Sequence, residues 1–154
     1  MIMTCASLSL IYMKTEFKVF YDVLKENLES YEGDYESFVD YGPELFKLLT
    51  DILDEKKASA DVRLKICAAI AYFVIPYDII PEQIYGPFGY IDDIYLCVYV
   101  LEDIKNDLGY GILEKLWAGN NDLNDVLEEC YEKSSSILGE KNNDILNYVG
   151  LEIK

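Results

Sequence analysis

Apolar residues recur along this chain at spacings of three and four, the period of an amphipathic helix, and nowhere settle into convincing alternation. Phe17, Phe20, Tyr21, Leu24 and Leu28 predict a first helix over residues 15–30, broken at Glu32-Gly33-Asp34. A second helical region is expected over 35–54, restarting at Gly42-Pro43 because proline suits a first turn. Its core stripe is Leu45, Phe46, Leu48, Leu49, Ile52 and Leu53. Ser59 reads as an N-cap, with Asp61 in the first turn of a third helix reaching about residue 75. Val62, Ile66, Ala69, Ile70 and Phe73 mark one face of it, yet Cys67, Ala68, Ala71 and Tyr72 make it apolar nearly all round. Such a helix is predicted to be central and covered on several sides, with Ala68, Ala69 and Ala71 small enough to admit a close neighbour. Pro76 ends it, because the residue before proline avoids the helical region.

Residues 79–88 read as a loop punctuated by Pro81 and Gly86-Pro87. A second strongly apolar helix follows over about 90–107. Its Tyr, Val and Ile content favours a strand, but Ile91, Ile94, Tyr95, Val98 and Leu101 keep helical spacing. Gly109-Tyr110-Gly111 breaks it, and a short helix spans 112–117. Asn121 is expected to cap another, with Leu123, Val126, Leu127, Cys130 and Tyr131 facing inward and Gly139 near its end. Residues 143–149 form the last. The fold class is therefore all-α: a single compact bundle of about six helices whose two most apolar members form a central hairpin. Residues 13–154 are read as that domain. Residues 1–12, mildly apolar and without a basic leader region, are read as an N-terminal extension ahead of Met13.

Charge narrows the choice of partner. The 154 residues carry 29 acids and 13 bases, a formal charge of −16. Residues 13–57 hold 12 acids and 6 bases, and residues 91–154 hold 14 and 5, whereas residues 58–90 hold only 3 and 2. Two acidic arms thus flank a nearly neutral centre. That field repels phosphate backbones and argues against nucleic acid, while leaving a basic protein partner or a cation electrostatically allowed. Arg63 is the single arginine, which weakens a bidentate-phosphate role. The absence of histidine removes Ser-His and Cys-His nucleophile pairs and most transition-metal sites. Cys5, Cys67, Cys97 and Cys130 form no C-x-x-C pair. Cys67 and Cys97, set among apolar residues, are read as buried thiols of a reducing, cytoplasmic environment. The uncharged run 66–76 falls short of the ~20 residues a bilayer span requires.

The least ordinary stretch is Pro76-x-Asp78-x-x-Pro81-Glu82, followed by Gly89-Tyr90-Ile91-Asp92-Asp93: acids, prolines and a glycine within the most apolar part of the chain. With Tyr72 and Ile80, this pattern resembles the YkvA-like domain of unknown function over residues 66–101. The resemblance implies a small helical domain with no established reaction, some relatives of which are associated with membranes. Glu82 stands where the family usually has another acid, and the loop before Gly89 is about one residue longer than typical.

Two physical readings of the motif stand side by side. In the first, the residues are architectural. The prolines stiffen the turn, Asp78 accepts backbone N–H groups there, Gly89 supplies a conformation other residues avoid, and Asp92 and Asp93 sit on the positive end of a helix dipole. In the second, Asp78, Asp92 and Asp93 converge on Mg²⁺ or Ca²⁺, as hard oxygen ligands do, with Glu82 as an optional fourth. The aromatic loop Ile84, Tyr85, Phe88 and Tyr90 is a candidate docking patch for a protein or a peripheral membrane contact. The function expected from all this is a non-enzymatic protein-interaction module; a divalent-cation enzyme or sensor and a peripheral membrane protein are the alternatives.

Overall fold

A chain so uniformly periodic at 3.6 residues has to bury stripes, and helix-on-helix packing is how it does so. The computed structural model describes residues 5–74 and 86–151. Seven α-helices appear among them: α1 (Cys5–Glu29), α2 (Gly42–Leu53), α3 (Ala60–Val74), α4 (Ile91–Leu108), α5 (Tyr110–Leu116), α6 (Leu123–Leu138) and α7 (Lys141–Tyr148). Two 3₁₀ turns, Ser37–Tyr41 and Gly86–Tyr90, lead into α2 and α4. The described residues contain no strand. The all-α fold read from the spacing is the fold observed. Pro76, Asp78, Pro81, Glu82, Ile84 and Tyr85 lie outside the described residues.

Helix α4 is the centre. It packs most extensively on α6 and α3 and also touches α2, α5 and α7. Ile91, Ile94, Leu96, Cys97, Val98 and Leu101 are wholly buried on several of its faces. On the other side, α2 joins α1 to α3 through one aromatic hub. The Phe46 ring meets Phe20 at 4.8 Å, Phe73 at 5.5 Å and Phe17 at 6.2 Å between centroids. The predicted stripe of α2 is buried from Leu45 to Ile52, with Leu53 partly so.

Several termini follow their local chemistry. The Ser59 hydroxyl accepts from the Val62 N–H at 3.2 Å, the cap expected there. Gly109 (φ 98°) separates α4 from α5, and Gly139 (φ 56°) follows α6, both in the left-handed region that glycine enters without strain. Other expectations need correction. Asp122, not Asn121, caps α6, accepting from the Asp125 N–H at 3.3 Å. Asn121 instead accepts the Trp117 indole N–H on its carbonyl. Helix α1 begins ten residues before the expected start, since residues 5–14 hold no glycine or proline to stop it. Tyr131 is 40% exposed rather than inward, at the edge of the α6 stripe.

The larger correction concerns α3. Its predicted face is buried, as is Tyr72, but Cys67 is exposed, Leu64 is 71% exposed and Val74 44%. Of the two apolar helices α4 is the more enclosed, with every residue of 91–98 buried and Asn106 and Asp107 exposed near its end; α3 is covered on one flank by α2 and on the other by α4, leaving a third open.

Arg63, the single arginine, works as a clamp. Its guanidinium donates to the carbonyl of Leu53, at the end of α2, and to that of Glu55 at 3.0 Å, which also accepts the Ala58 N–H, and so ties α3 to the end of α2. We expect Arg63→Ala to cost about 1–2 kcal/mol in urea unfolding with an unchanged slope, because hydrogen bonds to charged groups are strong and this one is only half-buried. Arg63→Lys should recover little, since an ammonium cannot reproduce the two-pronged fork.

Candidate functional site

The motif's two described aspartates open α4. Its first four N–H groups have no intrahelical acceptor, and its dipole places positive potential at that end. Asp92 and Asp93 occupy the first turn and are 0% and 1% exposed. A buried carboxylate is costly unless it is hydrogen-bonded. Asp92 is: one oxygen accepts the Tyr72 hydroxyl of α3 at 2.7 Å, and the other accepts the Asp93 backbone N–H at 3.1 Å. The side chain thus serves as an internal cap and as a tie between α3 and α4. One helical turn after Asp93, the Cys97 thiol is buried and its pKa pushed well above 9.0, by burial first and then by Cys130 and the neighbouring Asp93 carboxylate. Burial likewise raises Cys130 to about 12.

The other described residues of the motif, Gly89, Tyr90 and Ile91, are also buried. Gly89 is buried within the 3₁₀ turn Gly86–Tyr90. A 3₁₀ turn has negative φ, so the unusual conformation anticipated for Gly89 is not what this turn uses. Tyr90, expected in an exposed docking loop, is 7% exposed, and its hydroxyl accepts from Asn27 of α1 at 3.1 Å. The side chain of Phe88 lies outside the described set. Asp92 and Asp93 are adjacent at one helix start, while Asp78, the third proposed cation ligand, lies outside the described residues. Among the described residues, no group of three or more His, Cys, Asp or Glu side chains is arranged to hold a metal ion.

Comparison with known proteins agrees with the resemblance of this segment to a domain of unknown function. A family described as a protein of unknown function (DUF1232) matches residues 62–99, nearly the span that resembles the YkvA-like domain. The chain is also 40% identical over 131 residues to the uncharacterized protein ORF9 of Methanothermobacter thermautotrophicus, covering 85% of this chain and 90% of that one. The chain belongs to the DUF1232 family. No solved structure matches it. The family's matched segment contains most of α3, the first half of α4 and the Tyr72–Asp92 bond between them. Neither match carries a named activity.

A second feature went unread in the sequence. Between α1, α2 and α3 lies a largely apolar cavity of ≈ 700 Å³, with Phe17, Tyr21, Phe46, Leu53, Arg63 and Cys67 in its wall. Its wall comes from three helices far apart in sequence, so no local spacing reports it.

Tyr72→Phe leaves a buried carboxylate short of a donor, and we expect a loss of about 2 kcal/mol in urea unfolding, within the range for a buried group stripped of its partner. A cycle with Asp92→Ala should show strong coupling, because each change breaks the same bond. Thiol chemistry should separate the cysteines. In a Cys5→Ser background at about pH 8, near the ordinary thiol value, maleimide should label Cys67 in the folded protein and reach Cys97 and Cys130 only on unfolding. Raising the pH by a unit should not open Cys130, whose proton is held to about 12.

Proposed function

We propose that this DUF1232 protein is a non-enzymatic, cytoplasmic protein-interaction module that receives an amphipathic helix of its partner on the open face of α3. The observation that carries this reading is the contrast between the motif and that face. The Asp92 carboxylate is spent inside the fold, on Tyr72 and on the helix terminus. The apolar residues Leu64, Cys67 and Val74 of α3 stand in solvent, and Cys67 also lines the α1–α2–α3 cavity. Exposed apolar surface next to a concave apolar wall is the signature of a docking surface, and a row of residues along one helix is matched in shape by another helix.

The formal charge of −16 disfavours nucleic acid as that partner. Among the described residues, no helix is long and apolar enough to cross a membrane. Free Cys67, Cys97 and Cys130 suit a reducing compartment.

An environment-sensitive apolar dye tests the face directly. Native-state dye binding should fall several-fold in Leu64→Asp, with Tm unchanged because Leu64 is 71% exposed. Undiminished dye binding would remove the docking face. A rise in Tm with millimolar Mg²⁺ or Ca²⁺ that Asp78→Asn abolishes would favour a cation site instead, and flotation with neutral lipid vesicles that Phe88→Ser abolishes would favour membrane docking.

A further inference from the structure

Resting on the docking reading, we infer that the helix received on α3 is α3 of a second copy, packed antiparallel about Cys67 in a two-fold homodimer. Four observations converge on this. First, the open stripe of α3 is Ala60, Leu64, Cys67, Ala71 and Val74, spaced four, three, four and three. That is the seam spacing by which two helices interlock, and it is distinct from the buried face that α3 presents to α2 and α4. Ala60, Leu64, Cys67 and Val74 are exposed and Ala71 is half-buried.

Second, the stripe is complementary to itself. Helix α3 is 15 residues long and Cys67 is its middle residue. A two-fold axis there brings Ala60 opposite the partner's Val74 and Leu64 within one residue of the partner's Ala71. Each large side chain meets a small one, as an isologous interface requires of a single repeated surface.

Third, charge favours this face over the others. Helix α3 carries Asp61, Arg63 and Lys65, one acid against two bases, and among the described helices it alone has a positive balance. Two chains of formal charge −16 repel elsewhere and least here. All three charges sit in the N-terminal half of α3, and residues 66–74 hold none. Antiparallel pairing sets charged half against uncharged half, whereas parallel pairing would set Arg63 and Lys65 against their own copies.

Fourth, the contact is short. Fifteen residues give a contact about 22 Å long at 1.5 Å per residue. One helix pair of that length makes a contact at the small end of specific interfaces, the class to which weak, reversible dimers belong.

Sedimentation equilibrium of the whole chain in reducing buffer, from micromolar to near-millimolar concentration, tests the inference. The average mass should rise from the 17.7 kDa monomer toward twice that value. Leu64→Glu and, independently, Ala71→Glu should each weaken association at least tenfold with Tm unchanged. Association should strengthen from low to physiological salt, because screening relieves repulsion between acidic chains; a basic heterologous partner would behave in the opposite way. A short bis-maleimide linker should join two Cys5→Ser chains through Cys67, and Cys67→Ser should abolish the product. A monomer throughout the range overturns the inference, as does a dimer that neither variant weakens. If the chain is monomeric while Leu64→Asp still removes dye binding, the docking face stands with another occupant; if neither responds, both readings fail.

Discussion

The structure depends on burying the Asp92 carboxylate at the start of its most enclosed helix. A charge removed from water must find donors, and Asp92 finds them in the Tyr72 hydroxyl, the Asp93 N–H and the positive end of α4. The Tyr72 contact sits near the C-terminal end of α3 and the N-terminal end of α4. Two turns earlier on α3, Lys65 reaches Asp103 of α4 at 2.7 Å while also meeting Asp61 at 3.2 Å. Moving back along α3 is moving forward along α4, so the two helices are antiparallel and pinned at two levels. The buried pin specifies register more than the outer one, because a slip of one turn there strands a carboxylate in the core, whereas a half-exposed ion pair can resolvate.

With that register set, α4 shows α6 one face and α3 another, and the interior closes around it. The chemistry placed inside is inert. Burial holds the Cys97 and Cys130 thiols protonated, and thiols of that kind are neither nucleophiles nor ready metal ligands. Tyr21, Tyr35 and Tyr95 are also pushed up to about 12, Tyr21 and Tyr95 chiefly by burial and Tyr35 chiefly by its bond to Asp40. In the unfolded chain these phenols ionise near their ordinary 10.0, before the folded chain releases the proton. Their contribution to stability is therefore complete below about pH 10 and is lost as the pH climbs toward 12.

Spacing located the helices well, since a period of 3.6 is a local property that survives whatever the helix packs against. It failed on exposure. Helices α3 and α4 are both apolar nearly all round, yet one is enclosed and the other keeps an open flank, because coverage depends on how many neighbours the topology supplies. Cys67, placed in the interior on composition, stands on that open flank. The motif is legible as a set of residue types, and Asp92 and Asp93 lie in the first turn of a helix as their place in the sequence predicts. Its central bond was not legible: Tyr72 was counted among the apolar positions, and its hydroxyl finds a partner 20 residues away. The cavity was invisible for the same reason, its wall being shared by three helices.

Charge and apolarity carry one message when taken by helix rather than over the whole chain. Acidic surface keeps a small protein dispersed, and in this chain it covers the flanking segments while the centre stays nearly neutral. A centre that served only as core would need no open stripe, since the residues that pack on α2 and α4 already supply the buried face of α3. Leucine at 71% exposure contributes little to the monomer, and a polar residue there would serve solubility better. The helix with the apolar outer flank is also the helix with the positive balance and with alanines at the points of closest approach. Repulsion over the remaining surface and attraction along this one line together restrict how two such molecules can meet, a constraint on orientation that neither feature would impose by itself.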